Sequence, residues 1–90
     1  MRYFEKAHSA SILIILYREG RLFYSQLLKL LGHGGGTVSA TLEYLKNLGL
    51  IIDEVENKFG GKRYLSLTEK GKKIAKHLIE IEKIMGEENE

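Results

Sequence analysis

Thr37, Thr41 and Tyr44 recur at a helical spacing, and Asn57, Lys58, Lys62 and Arg63 crowd around a Gly60-Gly61 pair. A threonine hydroxyl donates or accepts, and its methyl packs on an apolar neighbour. Such short neutral groups act only at close range. Cations gathered on one hairpin repel one another unless an anion sits opposite. The chemistry these residues offer is recognition of a polyanionic, hydrogen-bonding surface. The plain alternative is a set of exposed polar groups, with lysines guarding a sheet edge. Bond-making chemistry has no support. No nucleophile lies beside a base, and there is no G-x-x-x-x-G-K-[ST] loop and no carboxylate pair that would sit in a cleft. Gly32-His33-Gly34-Gly35-Gly36 has the look of an oxyanion-hole loop, but no serine elbow accompanies it. His8, His33 and His77 come with no cysteine and no ligand spacing, so neither a metal nor a cofactor is expected.

Ninety residues make one domain, small enough that a shared dimer core would help its stability. The absence of cysteine excludes disulfides. The longest apolar run, Ile12 to Tyr17, is too short to span a bilayer, so no membrane partner is expected. The first residues, M-R-Y-F-E-K, lack the pattern of a signal peptide, which points to the cytoplasm. Charge is uneven. Residues 1–73 carry 12 Lys/Arg against 7 Asp/Glu, a net +5, and residues 74–90 carry 2 against 5, a net −3. A basic body suits an anionic partner.

The elements that must position these residues follow from periodicity. Ser9 to Glu19 reads as a helix that is apolar nearly all round, closed by Gly20. Arg21 to Phe23 is extended. Ser25 to Leu31 is a second helix, and the glycine-rich segment after it supplies a tight turn with positive φ. A third helix begins near Gly36 or Thr37 and ends at Leu48, with Gly49 as its left-handed cap. Val38, Leu42 and Leu45 form its core stripe. Gly36, Thr37, Ala40, Thr41, Tyr44 and Asn47 then face outward. Leu50–Glu56 and Arg63–Leu67 form a hairpin over Gly60-Gly61, pairing Leu67 with Glu54 or, better for a core face, with Val55. Thr68 caps a last helix that runs to about Met85, and residues 86–90 form a frayed acidic tail. The fold class is mainly α with a small β-hairpin (α+β), in the order α-(β)-α-α-β-β-α. This is a winged helix-turn-helix spanning residues 1–90, with the helix-turn-helix and wing in 21–67.

In that fold the third helix lies in the major groove of double-stranded DNA with its N-terminal side chains on base edges. Thr37, Thr41 and Tyr44 sit where such contacts arise, and Ser25 and Ser39 suit phosphates. Lys46 is that helix's one basic residue. The set F-Y-S-Q-L-L-K-L-L-G, G-T-V-S-A-T-L-E-Y-L-K-N-L-G-L-I and L-T-E-K-G resembles the winged-helix regulators of the MarR/ArsR-like superfamily. It is most similar to the compact single-domain members common in archaea. The resemblance covers most of residues 21–75. It implies DNA contacts at Gly36, Thr37, Ser39, Ala40, Thr41 and Tyr44, and at Lys58, Lys62 and Arg63 of the wing. It departs from the family at Thr41, a position frequently histidine, and at Ala40, often polar or basic. The alternative function is a winged-helix module that binds protein in a larger assembly.

A homodimer is also expected. Gly71, Ile74, Leu78, Ile81 and Met85 step by 3, 4, 3 and 4, the spacing of a helix–helix seam. The apolar first helix, with Ile12, Leu13 and Leu16, would share that interface. Residues 9–19 and 68–85 are thus the expected dimerisation helices.

Overall fold

The computed structural model describes residues 2–32, 35–56 and 61–88. After a 3-10 turn at Arg2–Phe4 the elements are α1 (Ser9–Glu19), β1 (Leu22–Phe23), α2 (Tyr24–Leu31), α3 (Gly35–Asn47), β2 (Ile51–Val55), β3 (Arg63–Leu67) and α4 (Glu69–Glu88). The three strands form one antiparallel sheet in the order β1-β3-β2. This is the α+β winged helix-turn-helix, in the expected order.

The core explains why α1 is apolar nearly all round. Ile12, Leu13 and Leu16 of α1 are wholly or almost wholly buried within their own chain. They pack with Leu27 of α2, Val38, Leu42 and Leu45 of α3, Leu65 of β3 and Ala75 of α4. An 11-residue helix surrounded by three others and a sheet needs no second chain to cover it. The expected place of Ile12, Leu13 and Leu16 in a dimer interface is therefore corrected: they are the centre of the chain's own core.

The wing register also differs. Ile51 pairs with Leu67, Asp53 with Leu65 and Val55 with Arg63. Neither of the pairings offered from the sequence, Leu67 with Glu54 or with Val55, occurs. Both presumed a tight turn at Gly60-Gly61. The physical determinant is burial. Ile51, Leu65 and Leu67 all face the core, which a slipped register would prevent. Val55, favoured for a core face, is 58% exposed. A further bond from the Glu56 N–H to the Lys62 carbonyl (2.9 Å) extends the ladder. Asn57, Lys58, Phe59 and Gly60 lie outside the described residues.

The corner between α3, β2 and α4 is closed by polar groups. Gly49 ends α3 at φ 77°, a conformation that costs glycine little. The Thr68 hydroxyl donates to the Gly49 carbonyl (2.7 Å) and accepts from the Gly71 N–H (3.0 Å), so it caps α4 as expected. The Thr68 N–H donates to the Leu50 carbonyl (3.1 Å). This lays the first turn of α4 directly on the β2 entrance. A Cβ at Gly71 would overlap the Leu50 carbonyl oxygen. Gly71 thus serves a contact inside the chain, where its spacing had suggested a seam between chains.

Candidate nucleic-acid interface

The helix-turn-helix is built by α2 and α3. At the start of α2 the Gln26 side chain accepts from the Phe23 N–H (2.9 Å), which satisfies one of the donors a helix start leaves open. Gly32 ends α2 at φ 72°. Gly35 and Gly36 do not have positive φ. They are the first residues of α3, and nothing lies within 4 Å of where a Gly36 side chain would begin. Gly36 is thus free of both left-handed backbone and crowding from its own chain. The close approach belongs to Gly35, where a Cβ would stand 2.8 Å from the Tyr24 phenol oxygen.

The outward face of α3 is narrower than the sequence suggested. Gly36, Thr37, Ala40, Glu43, Lys46 and Asn47 are exposed. Thr41 is not: it is 1% exposed, and its hydroxyl donates to the Ala7 carbonyl (2.8 Å). Thr41 stands three residues after Val38 in the core stripe, and the segment ahead of α1 covers that edge of the helix. A base-reading role for Thr41 is therefore ruled out in this fold. Tyr44 is half-buried against the core, with the Lys6 ammonium 5.6 Å from its ring centre. Ser39 is also engaged, its hydroxyl 2.8 Å from that of Tyr24. Ser25 is exposed at the start of α2 and lines a hollow of about 320 Å³ with Phe23, Tyr24, Gly61, Lys62 and Arg63. The fold thus brings Ser25 to the two described wing cations, 37 and 38 residues away in sequence. Lys58 lies outside the described residues.

The two wing cations differ. Lys62 is exposed, its ammonium 5.2 Å from the centre of the Phe23 ring. Arg63 is held. Its Nε and Nη2 donate to both oxygens of Asp53, with Nη2 to Oδ2 at 2.7 Å, and the Asp53 side chain is only 7% exposed. Its guanidinium also lies 4.6 Å from the centre of the Tyr24 ring. The hydrogen bonds to Asp53 raise the Arg63 pKa, against an opposing effect of burial. The guanidinium is accordingly charged at every working pH. Outside the hairpin tip, Arg21 sits 3.9 Å over the Tyr64 ring, which itself contacts Phe23 at 4.7 Å between centres. Sequence reading passed over Tyr24, Asp53 and Arg21. The only available signal was opposite charge at Asp53 and Arg63, meaningless until the register puts them diagonally across β2 and β3.

At the far side, α4 is exposed from Glu80 to Gly86, with Arg18 of α1 ion-paired to Glu82 (2.6 Å), and the molecule measures 49 × 25 × 22 Å. Ile81, Ile84 and Met85 are each about half exposed. Ile74 and Leu78 are half-buried against the core. Ile74, Leu78 and Ile81, with Tyr3, Phe4, Leu48 and Leu50, line a largely apolar cleft of about 500 Å³ whose rim also carries Lys70 and His77. No helix among the described residues is long and apolar enough to cross a membrane.

A short antiparallel wing, a helix-turn-helix with an open third-helix face and a long last helix together define a winged-helix protein. The chain matches no protein-family model and no curated protein. It does match solved structures over nearly its whole length. A transcriptional regulator homologue from Pyrococcus horikoshii OT3 is 18% identical, with a TM-score of 0.80 over 98% of this chain and 88% of that one. A Porphyromonas gingivalis W83 protein described as a MarR-family transcriptional regulator is 24% identical, with a TM-score of 0.87 over 97% and 85%. MepR of S. aureus, in complex with DNA, is 26% identical, with a TM-score of 0.79 over 90% of this chain and 61% of its own. By fold the chain is MarR-like.

Proposed function

We propose that this protein is a DNA-binding transcriptional regulator that lays α3 in the major groove and the hairpin on the phosphate backbone. The observation that carries this reading is the open, small-residue start of α3 at Gly36, Thr37 and Ala40, in a fold shared with a protein whose structure contains DNA. Small residues let a helix approach base edges closely, and Thr37 supplies both a hydrogen bond and a methyl. Lys46 and Glu43 leave that face lightly charged. Affinity is therefore assigned mainly to backbone contacts from Ser25 and Lys62, with Tyr44 and Lys46 at the margin. Ser39 and Arg63 act by holding other groups in place.

The protein acts as a homodimer in this reading. Support comes from the apolar stripe on the exposed second half of α4 and the cleft beside it, both unusual for a 90-residue chain that had to remain single. The interface comprises Ile74, Leu78, Ile81 and Met85 with Ile84 added. A two-fold dimer places two α3 helices over a pseudo-palindromic site. Selection of bound duplexes from a random pool tests the function. The expected outcome is one consensus of that symmetry, with affinity falling steeply as salt rises. No enrichment, with no duplex affinity at low salt, would reject DNA reading in favour of a protein-binding module.

A further inference from the structure

Four side chains from four elements touch in series between the wing and α3. Asp53 on β2 grips Arg63 on β3 through three N–H···O contacts of 2.7 to 3.2 Å. The Arg63 guanidinium faces the Tyr24 ring at 4.6 Å. The Tyr24 phenol lies 3.1 Å from the Gly35 carbonyl and 2.8 Å from the Ser39 hydroxyl, both in the first turn and a half of α3. The phenol has one proton. If it goes to the Gly35 carbonyl, the Ser39 hydroxyl must donate to the phenol oxygen. The arrangement then satisfies every group, and it removes Ser39 as a donor to phosphate. Gly35 is what allows the approach, because a Cβ there would meet the phenol at 2.8 Å.

We propose that Asp53, Arg63 and Tyr24 form a strut that sets the position of the reading helix from the position of the wing. The ion pair is mostly screened from water, so it is a stiff link. The guanidinium on the tyrosine face is a contact for which lysine, lacking the planar fork, is a poor substitute. Tyr24 is a positioning residue: it holds the start of α3 at two points. Seating the wing on phosphates and presenting Thr37 to a base edge thereby become one event. This inference rests on the DNA-binding reading for its purpose, but the strut itself is testable without DNA.

The experiment has two arms, run on the full chain. In the first, amide hydrogen exchange is followed without DNA in Tyr24→Phe and Asp53→Asn. Tyr24→Phe keeps the ring over which Arg63 lies and loses only the hydroxyl. Asp53→Asn alters a residue on the far side of the strut from α3. Both should speed exchange at residues 39–42 by about tenfold, while amides in α1 and in the middle of α4 keep their wild-type rates. A merely local role for Asp53 would leave α3 unmoved, and unchanged α3 exchange in both variants overturns the strut. In the second arm, affinity is measured on the selected duplex and on random duplex. Tyr24→Phe should reduce the ratio of the two by about tenfold, with random-duplex affinity within about twofold of wild type. Arg63→Lys should do likewise, and an unchanged ratio in both rejects a role in specificity. Should wild type bind no duplex while the exchange arm succeeds, the DNA reading fails and the mechanical link stands. If both variants unfold more readily everywhere, exchange rises uniformly, and that also overturns a directed link.

Discussion

At the scale of single residues, the decisive fact about Thr41 is where its hydroxyl goes. It donates to the Ala7 carbonyl from a position with 1% exposure, so it ties the N-terminal segment to α3. Thr41→Val keeps the shape and leaves that carbonyl without its donor. It should cost about 1–3 kcal/mol of stability in urea unfolding. Any loss of DNA affinity should then be equal on selected and random duplex. Gly36 makes the opposite case. It is exposed in the first turn of α3, has no positive φ and has open space at its Cβ position. Gly36→Ala should therefore raise stability by about 0.5–1 kcal/mol, read from the same unfolding curves. Its effect on DNA is a separate quantity, since an added methyl changes how closely α3 can approach a base pair.

Between elements, two contacts carry the architecture. The first is α4 on the β2 entrance. Gly71 lies against the Leu50 carbonyl, a backbone group that cannot swing aside as a side chain can. Gly71→Ala should cost at least about 2 kcal/mol and lower the thermal midpoint measurably. The second is the wing, where neighbouring cations should behave differently. Lys62→Ala removes an exposed charge, so stability should hold while the salt slope of DNA binding falls by about one per protomer. Arg63→Ala leaves the nearly buried Asp53 carboxylate without its partner. That should cost on the order of 2 kcal/mol of stability before any DNA is added. Matching salt slopes and matching stabilities for the two variants would show that the ion pair does not separate their roles.

For the whole molecule, the question is what covers the exposed apolar side chains on the second half of α4. Ile81 and Ile84 are 51% and 53% exposed, on a helix whose first half is fixed to the body by Gly71, Ala75 and Ile74. Light scattering at micromolar concentration should give twice the chain mass. Ile81→Lys with Ile84→Lys should give the single-chain mass with little change in secondary structure, because neither side chain belongs to the buried core. The same pair should lower affinity for a two-half-site duplex far more than for a half-site duplex. A monomeric wild type would remove the dimer from the proposal and leave the α3 assignment intact.

The sequence by itself determined the elements and their order. Ser9 to Glu19, the hairpin strand Arg63 to Leu67 and the caps at Gly49 and Thr68 stand where periodicity and capping chemistry put them, since these depend on neighbours a few residues away. Tertiary structure decided the rest. An apolar helix looks the same whether its cover is its own chain or another's, so Ile12, Leu13 and Leu16 could be read as an interface until α4 and α3 were seen to enclose them. The hairpin register depended on which of Ile51, Leu65 and Leu67 the core would accept, and not on the turn. Thr41 could be placed outward only while the segment before α1 had no position. The pairing of Asp53 with Arg63 and of Tyr24 with Ser39 joins residues 10 and 15 apart, and so needed the folded sheet and both helices to exist.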